Sequence, residues 1–346
     1  MGTIYITQDD SFIGKTDERI QVRSQKQTLL DVPMIKVDGI VVLGRATVSP
    51  AALMELLERK IPLSFLTGTG RYLGRLEPPL TKNIFVRSAQ WAASGITAGT
   101  NSGTDSGTPS EKAVHLVRGF VRGKLKNYRN ALMRSQREYD LPLQTAITRI
   151  EQVLEPISRT AAIDSLRGLE GAGSAAYFGS FGQLIRAEGF SFEARRRRPP
   201  TDPVNALLSF GYALLLHDVQ SAINIVGFDP YLGYLHTAQY GRPSLALDLM
   251  EEFRPLVVDA MVLAALNRRV LTPADFGLEP LSGAVSLSEE GRRTFLRLYE
   301  QKKQSKFKHP VLQKQCTYQE AFELQARLMA KFLLAETEQY PPLILR

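Results

Sequence analysis

From residue 204 to residue 226 the chain carries apolar side chains on almost every face of a helical projection. Asp202 and Pro203 stand just ahead, in the order of an N-cap and a first helical residue. A helix without a polar face has to be surrounded by protein. This segment therefore predicts a helical domain built around it. His217 and Asp218 interrupt it, and Asp259 and Asn267 interrupt the next apolar stretch. No run of about twenty apolar residues is left to cross a membrane.

The first eighty residues read differently. Segments 3–6, 20–23, 34–37, 40–43 and 63–66 are short, rich in β-branched residues and separated by Asp, Gly and Pro, so they predict strands. The run from Gly68 to Gly74 predicts a hairpin turn leading into another strand. One helix interrupts them over 51–60, with Ser49 as N-cap and Pro50 at its first position. The expected fold is α+β: a small β-sandwich-like N-terminal domain over residues 1–80, ending near Pro78-Pro79, then a larger all-helical domain over 81–346. Residues 94–110 are low in complexity and in apolar content, and predict a flexible loop. Beyond it Val114, Val117, Val121, Leu125, Tyr128 and Leu132 form an apolar stripe at helical spacing. Arg118, Arg122, Lys126 and Arg129 form a basic stripe beside it.

A hydrophobic fraction of 44% with 23% charged residues is ordinary for a globular chain with a sizeable core. The N-terminus reads as a strand and a turn rather than a signal peptide, so the cytoplasm is the expected location. A single cysteine, Cys316, excludes an intrachain disulfide and a thiolate zinc cage. The net charge of +8 is unevenly spread. Residues 1–80 hold ten Lys/Arg against nine Asp/Glu, whereas residues 111–150 hold nine against three. Basic charge concentrated after the first domain suits a polyanionic partner, and equally a soluble basic surface.

Chemistry concentrates near residue 240. His236 precedes a helical pattern in which Asp248, Glu251 and Glu252 lie three and four residues apart, among the core-type residues Leu245, Leu249, Phe253 and Leu256. Carboxylates crowded on one partly buried face repel unless a cation lies between them. Oxygen ligands with one imidazole suit magnesium or manganese better than structural zinc. Taken alone, the same patch is an ordinary solvated helix face. Pro255 cannot donate to the carbonyl of Glu251, so a bend is expected there. A further carboxylate, Glu170, lies among Gly168, Gly171, Ala172, Gly173 and Ser174, small residues that permit close approach of a helix or a nucleic-acid backbone. Tyr177 would share its face. The plainer reading is a helix start with Tyr177 in the core.

Four ordered blocks carry a resemblance: Leu169-Glu170-Gly171 with Tyr177-Phe178, the run from Arg198 to Ser209, Gly233-Tyr-Leu-His236, and Asp248 to Pro255. With them the chain resembles the large catalytic subunit of the CRISPR adaptation complex, the integrase that inserts new spacers into the repeat array. The similarity covers essentially the whole chain, although the 94–110 loop is longer and richer in Gly and Thr than the family leads one to expect. It implies Glu170, His236 and Glu251 as ligands of Mg2+ or Mn2+, and Asp248 as an auxiliary carboxylate, with Tyr177 beside them in the catalytic set. Glu252 has no implied role and reads as solvated or ion-paired.

The resemblance also implies a reaction in which a DNA 3′-hydroxyl attacks a phosphodiester at the repeat edge. It implies a homodimer formed through the β domains, and a small ferredoxin-like partner subunit. Charge clustering and the resemblance together place Arg195, Arg196, Arg197 and Arg198 on backbone phosphates. Arg242 lies within reach of the reacting phosphate, and Arg118, Arg122 and Lys126 are further DNA contacts or a solvated face. His115, His217 and His309 read as structural or uninformative. A stand-alone metal-dependent endonuclease and a non-catalytic DNA-binding scaffold are the alternatives.

Overall fold

The computed structural model describes residues 2–25, 27–68, 70, 72–76, 83–95, 110–237 and 239–345. The chain forms two compact units, Met1–Leu80 with Arg292–Gln304, and Thr81–Gly291 with Ser305–Arg346. The expected boundary at Pro78-Pro79 and most of the expected 94–110 loop lie outside the described residues.

In the first unit β1 (Gly2–Ile6), β2 (Ser11–Thr16), β3 (Arg19–Ser24), β4 (Gln27–Pro33), β5 (Val37–Leu43), β6 (Ala46–Val48), β7 (Leu63–Leu66) and β8 (Tyr72–Leu76) build two four-stranded sheets, ordered β1-β5-β7-β8 and β4-β3-β2-β6. In the first sheet β1, β5 and β7 run parallel and β8 antiparallel. In the second, β2, β3 and β4 are antiparallel neighbours. Strand alternation drives the packing. Ile20 and Val22 of β3 are buried, and Arg19 points outward to bond Asp31 of β4 at 2.6 Å. Ile13 and Ile20 share one apolar core with Ile40, Val42 and Leu63 of the other sheet. The helix α1 (Pro50–Glu58) adds Ala52 and Leu56, capped by Ser49 as its sequence requires.

The strand expected at 34–37 is instead a 3-10 turn, Met34–Lys36, which carries Met34 into the core before β5 begins. Its backbone starts at Pro33, whose ring fixes φ and ends β4. Strands β2, β4 and β6 had no sufficient sequence signal. Residues of β4 are mostly exposed, and β6 spans three residues. Arg292–Gln304 also belongs here rather than to the helical domain. Glu300 accepts from the Thr3 N–H at 3.1 Å, and the fully buried Lys303 pairs with Glu300 at 3.1 Å.

The second unit contains α2 (Ile84–Ser94), α3 (Glu111–Tyr139), α4 (Gln144–Leu154), α5 (Ile163–Phe181), α6 (Pro203–Val226), α7 (Ser244–Met250), α8 (Ala260–Asn267), the first residues of α9 (Glu289–Gln304), and α10 (Tyr318–Leu333). It is not all helix: two short hairpins, Phe276–Leu278 with Val285–Leu287 and Lys306–Lys308 with Gln315–Thr317, interrupt it. Helix α6 is the expected centre. Asp202 caps it through the Asn205 N–H at 2.8 Å, Pro203 opens it, and Gly227 at φ +104° closes it. By length and composition α6 could cross a membrane, yet 72% of that stretch is buried within the protein. It packs against α7 and α10.

Helices α3 and α5 meet closely. Tyr128 stacks on Tyr177 with ring centroids 3.7 Å apart. A Cβ on Gly173 would overlap the Leu125 side chain, whereas one on the exposed Gly168 would meet nothing within 4 Å. The same substitution should therefore act in opposite directions along α5. Gly168→Ala is expected to stabilise by up to about 1 kcal/mol through helix propensity. Gly173→Ala is expected to destabilise by about 1–3 kcal/mol through overpacking. Chemical denaturation of the two variants reads both signs.

Candidate active site

The site grows from one buried carboxylate. Asp248 is fully buried on α7 and accepts the N–H groups of Tyr234 at 2.6 Å, Leu235 at 2.9 Å and His236 at 2.8 Å. It also holds the His236 ring at Nδ1, 2.7 Å away. A carboxylate accepts, so Nδ1 carries a proton, and Nε2 is the nitrogen left to offer a lone pair when the ring is neutral. That nitrogen lies 3.8 Å from Glu251 Oε1. Gly233 makes this loop possible, because a Cβ there would strike Ser244 and Asp248 Oδ2.

Glu251 sits just past the end of α7, with its side chain 5% exposed. Lys124 of α3 approaches its Oε2 at 2.7 Å, and Arg254 approaches its Oε1 at 3.1 Å. Burial opposes its charge, but Arg254, Lys124 and His236 outweigh burial and hold the carboxyl down at about 2. These are ion pairs rather than aligned hydrogen bonds, for Glu251 Oε2 has no donor in hydrogen-bonding geometry. Glu170 completes the group. It lies well inside α5 and not at a helix start, contacts Lys124, and accepts from Ser174 Oγ at 2.8 Å.

The expected break at Pro255 is present. Residues 251–253 form turns, and Arg254–Asp259 follow as a π-helical turn. Such turns loosen the ladder where a proline removes a donor. Arg254 lies over the Tyr212 ring, 4.5 Å from its centroid. Asp259 accepts from the Tyr212 hydroxyl at 2.5 Å, and burial raises its carboxyl to about 7. Tyr177 is buried in the aromatic stack with its hydroxyl held toward Asp259.

Glu252 is neither solvated nor ion-paired. It is fully buried and accepts from Tyr340 Oη at 2.7 Å, the Leu343 N–H at 2.8 Å and Gln325 Nε2 at 2.8 Å. The residue next to Glu251 thus ties down the C-terminal segment. Asn127 of α3 ties the same segment through the Leu343 carbonyl at 2.8 Å and the Leu345 N–H at 3.0 Å.

The basic candidates separate. Arg195 turns inward, donating to Asn205 Oδ1 at 2.7 Å and Ser209 Oγ at 3.0 Å. Arg196, Arg197 and Arg198 are exposed, and Arg196 lies 3.6 Å from Glu193. Arg118 is committed to the Thr160 carbonyl at 2.9 Å. Arg122 and Lys126 each lie two residues from Lys124, so helical geometry turns them away from the carboxylates. Arg242 is half-buried in the loop between His236 and α7. His115 accepts from the Tyr340 N–H at 3.2 Å, and His309 Nδ1 faces the N–H groups of Val311 and Leu312 at 3.3 Å. His217 is buried in α6.

Lys124 and Arg254 were missed. Lys124 stands at a core position of the α3 apolar stripe, between Val121 and Tyr128, where a lysine needs a carboxylate. Arg254 is three residues after Glu251, a helical pairing distance. Among the described residues no three His, Cys, Asp or Glu side chains close into a ready metal cage. A lysine stands between two of the carboxylates instead. The donor set nevertheless fits a hard divalent cation: an imidazole oriented by Asp248 and two carboxylates, one of which, Glu251, has an oxygen without an aligned donor.

A buried carboxylate–imidazole centre in a helical unit, with a β-sandwich unit in the same chain, defines a known class, and comparison with known proteins identifies it. Residues 4–301 match the family described as CRISPR associated protein Cas1. The CRISPR-associated endonuclease Cas1 2 of Rhodospirillum rubrum is 37% identical over 99% of this chain and 98% of that protein. The corresponding Cas1 3 of Thermus thermophilus is 36% identical over 100% of this chain and 98% of that protein. The chain belongs to the CRISPR-associated Cas1 family, and is a nuclease of that endonuclease family. Two solved structures share its fold. A casposase bound to integration product has a TM-score of 0.82 at 21% identity, over 99% of this chain and 93% of that one. A Cas1 protein from Thermotoga maritima has a TM-score of 0.78 at 24% identity, over 96% and 97%.

The buried acids predict a pH signature. Burial raises the Glu252 carboxyl from 4.5 to about 8, against the pull of Leu343, Tyr340 and Gln325. The folded chain then keeps a proton that the unfolded chain releases. Stability from this group is full below pH 4.5 and is lost as pH rises to about 8. Asp259 acts in the same sense, from 3.8 to about 7. Urea unfolding across this range should therefore show falling stability, with a shallower fall in Glu252→Gln. An unchanged slope would mean that Glu252 keeps its charge in the fold.

Proposed function

We propose that this chain is a metal-dependent DNA integrase that joins prespacer 3′-hydroxyl ends to the CRISPR repeat by transesterification. The observation that carries the reading is the buried Glu251 carboxylate, ionised and facing the Nε2 of His236, with Glu170 across Lys124 from it. Glu170, His236 and Glu251 would hold Mg2+ or Mn2+, and Asp248 fixes the ring tautomer that lets His236 serve. A bound divalent ion supplies activation of the attacking hydroxyl and neutralisation of charge on the phosphoryl and leaving oxygens. The protein's own part is orientation. Asp248 sets the loop, the π turn sets Arg254 beside Glu251, and the packing of α5 and of α7 on α3 brings the two glutamates to Lys124.

Partners follow from the same reading. DNA is the substrate on this reading, and a fold shared with a casposase bound to integration product supports it. A related chain occurs in a Cas6-RT-Cas1–Cas2 complex, which supports a Cas partner for this chain. The ferredoxin-like kind of that partner and a homodimeric catalytic subunit are part of the proposal and rest on the sequence resemblance. Arg196, Arg197 and Arg198 are the candidates for backbone phosphates, with Arg242 nearer the reacting group. Arg195 is withdrawn from that role by its inward bonds.

Incubation with manganese, a free-ended duplex and a supercoiled plasmid tests the reaction. Joined strands are expected; fragments alone would make the chain a hydrolytic nuclease, and unchanged DNA would leave a binding scaffold. Glu170→Ala, His236→Ala and Glu251→Ala should each reduce joining about a hundredfold or more while duplex binding persists. Joining at the unaltered rate in all three would remove the assignment. Neutralising Arg196, Arg197 and Arg198 together should weaken duplex binding and flatten its salt dependence by about one unit of slope per lost phosphate contact. Neutralising Arg195 should lower thermal stability and leave the salt slope in place.

A further inference from the structure

Lys124 is buried, 4% exposed, among the apolar residues of α3. Its ammonium contacts Glu170 Oε1 and lies 2.7 Å from Glu251 Oε2, with the Tyr128 ring 5.6 Å away. Arg254 approaches the other oxygen of Glu251 at 3.1 Å. Two carboxylates facing each other in a protein interior separate or take up a proton unless a cation lies between them. The ammonium lies between the same two carboxylates that the preceding subsection assigns to a divalent ion. The Lys124–Glu251 contact is close but not aligned as a hydrogen bond, since Glu251 Oε2 has no donor in proper geometry.

We propose that Lys124 is a positioning residue that acts as a resident cation, holding Glu170 and Glu251 together before a divalent ion arrives and opposing the entry of that ion. The inference rests on the ligand assignment above. Positive charge already present on both carboxylates lowers their hold on a second cation, so the ion binds weakly to the DNA-free protein. The negative charge of substrate phosphate then tips the balance. Lysine suits the task because its flexible four-carbon stem can withdraw the ammonium, whereas a planar guanidinium bound through two nitrogens is harder to displace.

Manganese binding to the DNA-free full chain, read by isothermal titration calorimetry and by the manganese-induced rise in melting temperature, tests this without reference to activity. Lys124→Met should melt lower than the unaltered protein without metal. It should bind manganese about tenfold tighter or more, because a cation that competes for the same two carboxylates is removed. It should also gain more in melting temperature on metal addition. Lys124→Gln, which keeps a polar group, should tighten binding in the same direction, and Lys124→Arg should return to weak binding. A structural strut predicts the opposite sign, since loosened ligands bind metal less well. Equal or weaker manganese binding in folded Lys124→Met and Lys124→Gln would therefore overturn the proposal. Glu251→Gln separates it from the ligand assignment. Manganese uptake that survives Glu251→Gln would remove the assignment itself, and the role of Lys124 with it.

Discussion

One carboxylate organises the helical unit. Asp248 takes three successive backbone N–H groups and one ring nitrogen, and it does so with no exposure to water. Charge-assisted hydrogen bonds of this kind contribute about 1.5–3 kcal/mol each when buried. They convert an irregular segment, 234–236, into a rigid mount for an imidazole. Everything else at the site is measured from that mount. The ring faces Glu251 because Asp248 and Glu251 leave the same helix end one turn apart, and Gly233 leaves room for the loop to close on Asp248.

Around this anchor the second unit buries an unusual amount of charge. Lys124, Glu251, Glu252 and Asp259 are all buried within a few turns of helix. Each isolated charge would be costly, and the structure answers with different devices. Glu251 is held ionised by cations. Glu252 and Asp259 are pushed toward the protonated form by burial, with donors pulling the other way. Adjacent residues of one turn thus carry opposite electrostatic solutions. Glu251 is turned toward His236 and Lys124, and Glu252 toward the C-terminal segment that braces it.

Much of this is legible in the sequence. The apolar helix capped by Asp202-Pro203, the capped helix at Ser49-Pro50, and the break at Pro255 follow from local rules that tertiary contacts did not override. His236, Asp248 and Glu251 stood out by spacing, and Glu170 joined them only through the resemblance, since nothing local links residues so far apart. Lys124 was hidden because a basic stripe lay beside it, and charge counting drew the eye to Arg118, Arg122 and Lys126 instead. Arg195 was misjudged with its neighbours because a run of four arginines carries no sign of which one turns inward. Edge strands such as β4 escaped because they bury little and so need no alternation. The assignment of 292–304 to the first unit depends on Lys303 and Glu300 meeting Thr3, a contact between opposite ends of the sequence.

The turn from Arg254 to Asp259 has a geometric meaning beyond its proline. A π turn holds one residue more than an α turn of the same height, so every residue after it is rotated by about 100° relative to an unbroken helix. Glu251 and Arg254 lie before that surplus residue is absorbed, and Asp259 lies at its end. The helix that follows is therefore out of phase with the residues that enter the π segment. Its apolar face, with Met261, Val262, Ala265 and Leu266, still reaches the core. The end that carries Glu251 and Arg254 and the end that packs the core thus keep separate rotational phases, and a single extra residue allows one chain segment to satisfy both.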